Sequence, residues 1–150
     1  MSLFQQTGGE MSLVIDPVLR GILELGERFH GHVGPFLVTG VRMARLAAAL
    51  LGEVRHIHSK TGLRPPMSCI TDGLQISTAL TLCNKGISVE DEGAPTVVFT
   101  GENGKVLTVH LRKAVLEHMR QVTDDTMAEW SERIAVLPAD ELFEIEESRE

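Results

Sequence analysis

The chain has 150 residues, 43% of them apolar and 23% charged, with 14 Lys and Arg against 21 Asp and Glu for a net charge of −7 at pH 7. A chain of that length suits one domain that buries roughly two-thirds of the surface exposed when unfolded, and the acidic balance excludes phosphate-backbone binding as the default. Its two cysteines make no disulfide framework or zinc ribbon, and no apolar run approaches the roughly 20 residues of a bilayer span. The reading is a cytoplasmic protein with no membrane or nucleic-acid partner.

Residues 1–12 read as a loose polar leader, with Met11 as an alternative start. Asp16 is a good N-cap and Pro17 suits the first position of a helix carrying Val18, Ile22 and Leu25, which ends near His30. A second helix is predicted from Pro35 through Leu37, Val41, Met43, Leu46, Ala47 and Leu50 to a stop at Gly52. Its wide apolar face predicts burial, and Phe36 to Leu51 is a candidate surface for pairing two chains.

Arg55 to Ser59 reads as a strand, then Gly62 and Pro65-Pro66 break the chain. Thr71 or Asp72 caps a helix carrying Leu74, Ile76, Ala79, Leu80 and Leu82, stopped by Asn84-Lys85-Gly86. Ile87 to Glu90 is a short strand. Thr96–Thr100 and Lys105–Leu111 flank Asn103-Gly104, a hairpin signal. Ala114–Met119, Asp124–Val136 and Ala139–Ile145 read as helices, and the acidic end from Glu144 to Glu150 is expected to fray. The result is a single α+β domain over residues 1–150, helices flanking a small mixed sheet.

The chemistry concentrates in Phe29-His30-Gly31-His32, where two imidazoles separated by a glycine can aim at one point. The plain alternative is a helix junction in which both rings bond to backbone. Cys69 is either a small buried hydrophobe or a thiolate ligand. Asp72 can cap a helix, orient a ligating histidine or bind metal itself; Gln75, one turn on, is either an ordinary polar helix residue or one that orients water or substrate. Lys85 and Arg42 are possible anion contacts, against a helix-stop role for the first and a solvent-facing or salt-bridged position for the second. His56 and His58 share a strand face and read first as solvated strand residues, with a second metal site as the alternative, while Cys83 reads as packing.

Phe29-His30-Gly31-His32 followed by Pro35, Gly40 and Arg42, then Cys69-Ile70-Thr71-Asp72-Gly73-Leu74-Gln75 and Lys85-Gly86, resembles the FmdE family of formylmethanofuran dehydrogenase subunits over about Leu25 to His110. The resemblance implies a thioredoxin-like core, a homodimer, and a metal near these blocks held by His30, His32 and Cys69. Zinc is the first choice among divalent transition metals, with nickel and iron as alternatives. Two departures stand out: Gly34 replaces the cysteine that the family usually places before its proline, and no cysteine-rich C-terminal zinc module follows.

Three readings follow. The first is a metal-binding accessory protein of anaerobic one-carbon or redox metabolism, joined to an enzyme complex. The second is a standalone metalloenzyme that activates water or a small-molecule ligand. The third is a dimeric binding module with a structural site.

Overall fold

The structure, a computed structural model, describes residues 15–150, so the leader expected over residues 1–12 lies outside the described part. Helix α1 (Pro17–His30) starts as its sequence dictates: Asp16 accepts the Leu19 N–H at 2.8 Å. That bond, seconded by Arg45, holds the Asp16 carboxyl below its ordinary value. The helix ends at Gly31, whose φ of 98° is open to glycine at little cost and whose N–H reaches the Glu27 carbonyl. The chain re-enters a helix at α2 (Pro35–Leu51), with Pro35 at its start.

Helix α2 is the spine of the domain. Every residue from Pro35 to Val41 is buried, as are Met43, Ala44 and Ala47. Its apolar face is therefore consumed within one protomer, which removes most of Phe36 to Leu51 as a surface for pairing two chains.

Strand β1 (Val54–Ser59) leads through a loop with a cis Pro65-Pro66 bond to α3 (Cys69–Thr78) and then to β2 (Ile87–Val89), which lies parallel to β1. β3 (Thr96–Gly101) and β4 (Lys105–Leu111) form the expected hairpin, with Asn103 and Gly104 both in the left-handed region at φ 62° and 74°. Helices α4 (Lys113–Met119), α5 (Met127–Val136) and α6 (Ala139–Leu142) precede β5 (Phe143–Arg149). The sheet order is β2-β1-β3-β4-β5, antiparallel except for β1 and β2, which makes an α+β fold with a mixed sheet.

Strand alternation sends Ile57, Val97, Phe99, Leu107 and Val109 into the core under α2, all fully buried. The opposite face carries His56 and His58, paired in register with Thr100 and Val98.

Four boundaries differ from the sequence expectation by more than one residue. The last helix stops at Leu142, and Phe143–Arg149 pairs along the whole of β4 from Leu111 to Lys105 instead of fraying. Backbone pairing and burial of Phe143 outweigh the poor strand propensity of the glutamates, whose side chains an edge strand leaves in water. Helix α3 begins at Cys69, two or three residues before the expected cap, and ends at Thr78 because Ala79 turns left-handed at φ 59°. Asn84 then accepts the N–H groups of Thr81 and Gly86, tying Leu80 and Leu82 into a turn. Helix α5 starts at Met127, since the Thr123 N–H bonds to the Thr126 hydroxyl and holds residues 123–126 in a turn. Among the described residues, no helix is long and apolar enough to cross a membrane.

Candidate functional site

The site forms where the end of α1 meets the first turn of α3. Helices α2 and α3 cross at glycines: a Cβ on Gly40 would stand 2.1 Å from the Ile70 carbonyl oxygen, and one on Gly73 would stand 2.3 Å from that of Leu37. Only hydrogen fits at either position, and the contact fixes the height of Cys69 and Asp72 relative to the histidine turn.

His30 Nδ1 lies 2.5 Å from Asp72 Oδ2, and Gln75 Nε2 donates to Asp72 Oδ1 at 3.3 Å. The Asp72 carboxylate is thus held on both oxygens, and it holds the His30 ring through Nδ1, which leaves Nε2 as the nitrogen available to a ligand. The His30 side chain is 13% exposed and that of Asp72 33%. His32, on the exposed turn after Gly31, sets its ring 4.9 Å centroid to centroid from that of His30.

Cys69 opens α3 one turn before Asp72 and is half-buried against the core. Burial first, and the Asp72 charge second, push its thiol above the ordinary value. In the metal-free protein it is a protonated thiol at neutral pH. Among the described residues, no three His, Cys, Asp or Glu side chains are placed to hold a metal ion. The donor types fit a transition metal, and an imidazole backed by a carboxylate is the usual form of a metal-ligating histidine. The structure brings together His30, His32, Asp72 and Gln75.

The other candidates have different occupations. Arg42 donates to the Ile134 and Leu137 carbonyls at 2.8 and 2.6 Å, so its guanidinium closes the end of α5. Lys85 is an exposed left-handed turn residue at φ 61°. His58 bonds to Ser88 at 2.7 Å and stands 3.7 Å from Glu90. Cys83 is exposed rather than packed.

Sequence reasoning missed two features. Ser59, Thr61 and Thr71 are buried and hydrogen-bond one another at 2.9 to 3.0 Å, a closed ring that satisfies each hydroxyl and pins the start of α3 to the end of β1. Met127 brings its sulfur beside Gly34, where a Cβ would stand 3.7 Å from the His32 ring and 3.8 Å from that sulfur. No local pattern announces either one: the hydroxyl ring needs the loop after β1 to fold back on α3, and Met127 meets Gly34 from 93 residues away.

The model of the family described as FmdE, molybdenum formylmethanofuran dehydrogenase operon, matches residues 29–144. The chain belongs to the FmdE family. The FmdE match begins at Phe29 and so takes in the histidine turn, Cys69, Asp72 and the whole sheet up to the start of β5. A crystal structure of an FmdE-like protein of the tungsten formylmethanofuran dehydrogenase type from Syntrophus aciditrophicus superposes with a TM-score of 0.67 over 87% of this chain and 72% of that one, at 20% identity. That likeness shows the shared α+β fold. A protein of Archaeoglobus fulgidus described as a probable S-adenosyl-L-methionine-binding protein is 34% identical over 80 residues, 50% of this chain and 22% of that protein. The chain thus matches about a fifth of the length of that relative. In this FmdE chain, a Cβ at Gly34 would make ordinary contacts with the His32 ring and the Met127 sulfur.

Proposed function

We propose that this FmdE-family chain is a metal-binding accessory protein of a formylmethanofuran dehydrogenase-type system, in anaerobic one-carbon or redox metabolism. The observation that carries the reading is the His30–Asp72 pair, which fixes one imidazole through Nδ1 beside the His32 ring. His30, His32 and Cys69 would hold the ion, zinc first among divalent transition metals. Bound there, it would supply a Lewis acid.

The chain's own residues do the positioning. Gln75 orients Asp72, Asp72 orients His30, and Gly31 sets His32 at the turn. Cys69 would release its proton when the ion binds. A cytoplasmic setting belongs to the same proposal, supported by the two free thiols Cys69 and Cys83. So does a homodimer, supported by the exposed Val18, Leu25 and Phe29 of α1, which light scattering would test.

Elemental analysis of untagged wild type beside His32→Ala and Cys69→Ser, each checked for folding, tests the metal. About one ion per chain in wild type, with loss in both variants, supports the site. Retained stoichiometric metal in both variants, or none in wild type after incubation with zinc, nickel and iron salts, rules it out.

A further inference from the structure

A cavity of about 670 Å³ opens between the loop after β1, the end of α4 and the starts of α2 and α5. That volume lies within the range of small-molecule pockets. Its apolar wall is Phe36, Met67, Met119 and Met127, and three thioethers make a surface that adapts to the shape of a ligand. Met127 is also the residue whose sulfur lies beside Gly34, and Pro35 lines the cavity too, so one wall of the cavity adjoins the histidine turn.

Two arginines, Arg64 and Arg120, line the same cavity. Other arginines in this chain are committed: Arg42 to carbonyls, Arg45 to Asp16, Arg55 to Glu102, Arg112 to Glu144 and Arg133 to Glu129. Among the described residues, no ion pair or side-chain hydrogen bond engages Arg64 or Arg120. Asp91 and Glu92 line the rim as well, and Asp91 accepts the Leu63 N–H at 3.2 Å, which ties the loop after β2 to the loop after β1 and leaves the arginines as the cavity's hydrogen-bond donors to an anion. The wall carrying Arg64 is firm at its base, because Thr61 lines the cavity and belongs to the buried hydroxyl ring.

We propose that this cavity binds an organic anion with an apolar body. Its carboxylate or similar oxyanion is held by Arg64 and Arg120, and its body lies against Phe36 and the methionines. The ligand would reach Gly34 and present its far end to His32. This goes beyond the metal reading and does not require it.

The test uses the full chain with chelator present, so that its outcome is separate from that of the metal. The probe is 8-anilinonaphthalene-1-sulfonate, a sulfonate on an aromatic body, followed by fluorescence and competed with 4-phenylbutyrate or 4-phenylbutylamine. The expected result is saturable binding, displaced by the acid and not by the amine, and weakened about tenfold in Arg64→Ala/Arg120→Ala. Met127→Gln should weaken it as well without removing a charge. The competing apolar surface is the exposed stripe on α1, so Val18→Ser/Leu25→Ser/Phe29→Ser is the control and should leave the fit unchanged. The proposal is overturned by unchanged affinity in the arginine variant, by displacement with the amine in preference to the acid, or by loss of binding in the α1 control alone. Absence of binding to folded wild type overturns it too.

Discussion

His30 Nδ1 and Asp72 Oδ2 stand 2.5 Å apart across 42 residues of sequence, a polar contact between the end of α1 and the first turn of α3. A ligating imidazole is positioned through its other nitrogen, so removing the carboxylate frees the ring while leaving the ligand itself intact. Asp72→Ala is therefore expected to lower zinc affinity by about 10- to 100-fold. Asp72→Asn, which keeps one acceptor oxygen, should fall between the alanine variant and wild type. Competition against a chromophoric chelator measures both, and equal affinity in all three proteins would remove Asp72 from the site.

The Cys69 thiol gives a pH signature in the chelated protein. Burial and then the Asp72 carboxylate raise its pKa, which means less thiolate at any given pH and slower alkylation. Iodoacetamide at pH 8 should modify exposed Cys83 well before Cys69. Neutralising the carboxylate in Asp72→Asn removes one of the two causes, so the rate-against-pH curve for Cys69 should move to lower pH. A rise in rate equal at every pH would instead signal a loosened helix. Peptide mapping of the labelled sites separates these results.

Helix α3 reaches its place because Gly40 and Gly73 let two backbones touch. A methyl group on either would overlap a carbonyl oxygen that belongs to a helix and cannot swing aside. Gly40→Ala and Gly73→Ala are each expected to cost about 2 to 4 kcal/mol in urea unfolding, the scale of forced overpacking at its upper end. Gly21, whose added Cβ meets nothing within 4 Å, serves as the control: Gly21→Ala should be neutral or stabilising by up to about 1 kcal/mol.

What the sequence makes legible is local chemistry. Asp16-Pro17, Pro35 and Asn103-Gly104 each carry their own stereochemical reason, and each marks the boundary or turn it predicts. The strand over Phe143–Arg149 is hidden because its stability comes from β4, 32 or more residues earlier, and its own glutamates argue against it. The site follows the same division. Two blocks bearing His30 and Asp72 are recognisable separately, and orienting a histidine is one of the roles open to Asp72 from its residue type alone. Their contact depends on the Gly40–Gly73 crossing, which no spacing reveals. The cavity is less legible still, since Arg64, Arg120 and Met127 come from three loops and helix ends with no shared motif.

Arg42 illustrates how a charged residue near a candidate site can be committed elsewhere. Its two donors close the carbonyls of Ile134 and Leu137, and burial lowers its affinity for protons without making it neutral near pH 7. Arg42→Ala leaves those carbonyls without their donors and is expected to destabilise the domain by about 2 to 4 kcal/mol, since bonds from a charged donor are worth more than neutral ones. Arg42→Lys can reach one carbonyl at a time and should recover about half of the loss. Urea denaturation measures both variants. Because Arg42 lies outside the lining of the large cavity, sulfonate-probe affinity in the folded Arg42→Lys protein should equal that of wild type. A selective loss of probe binding there, with stability preserved, would return Arg42 to the role of an anion contact.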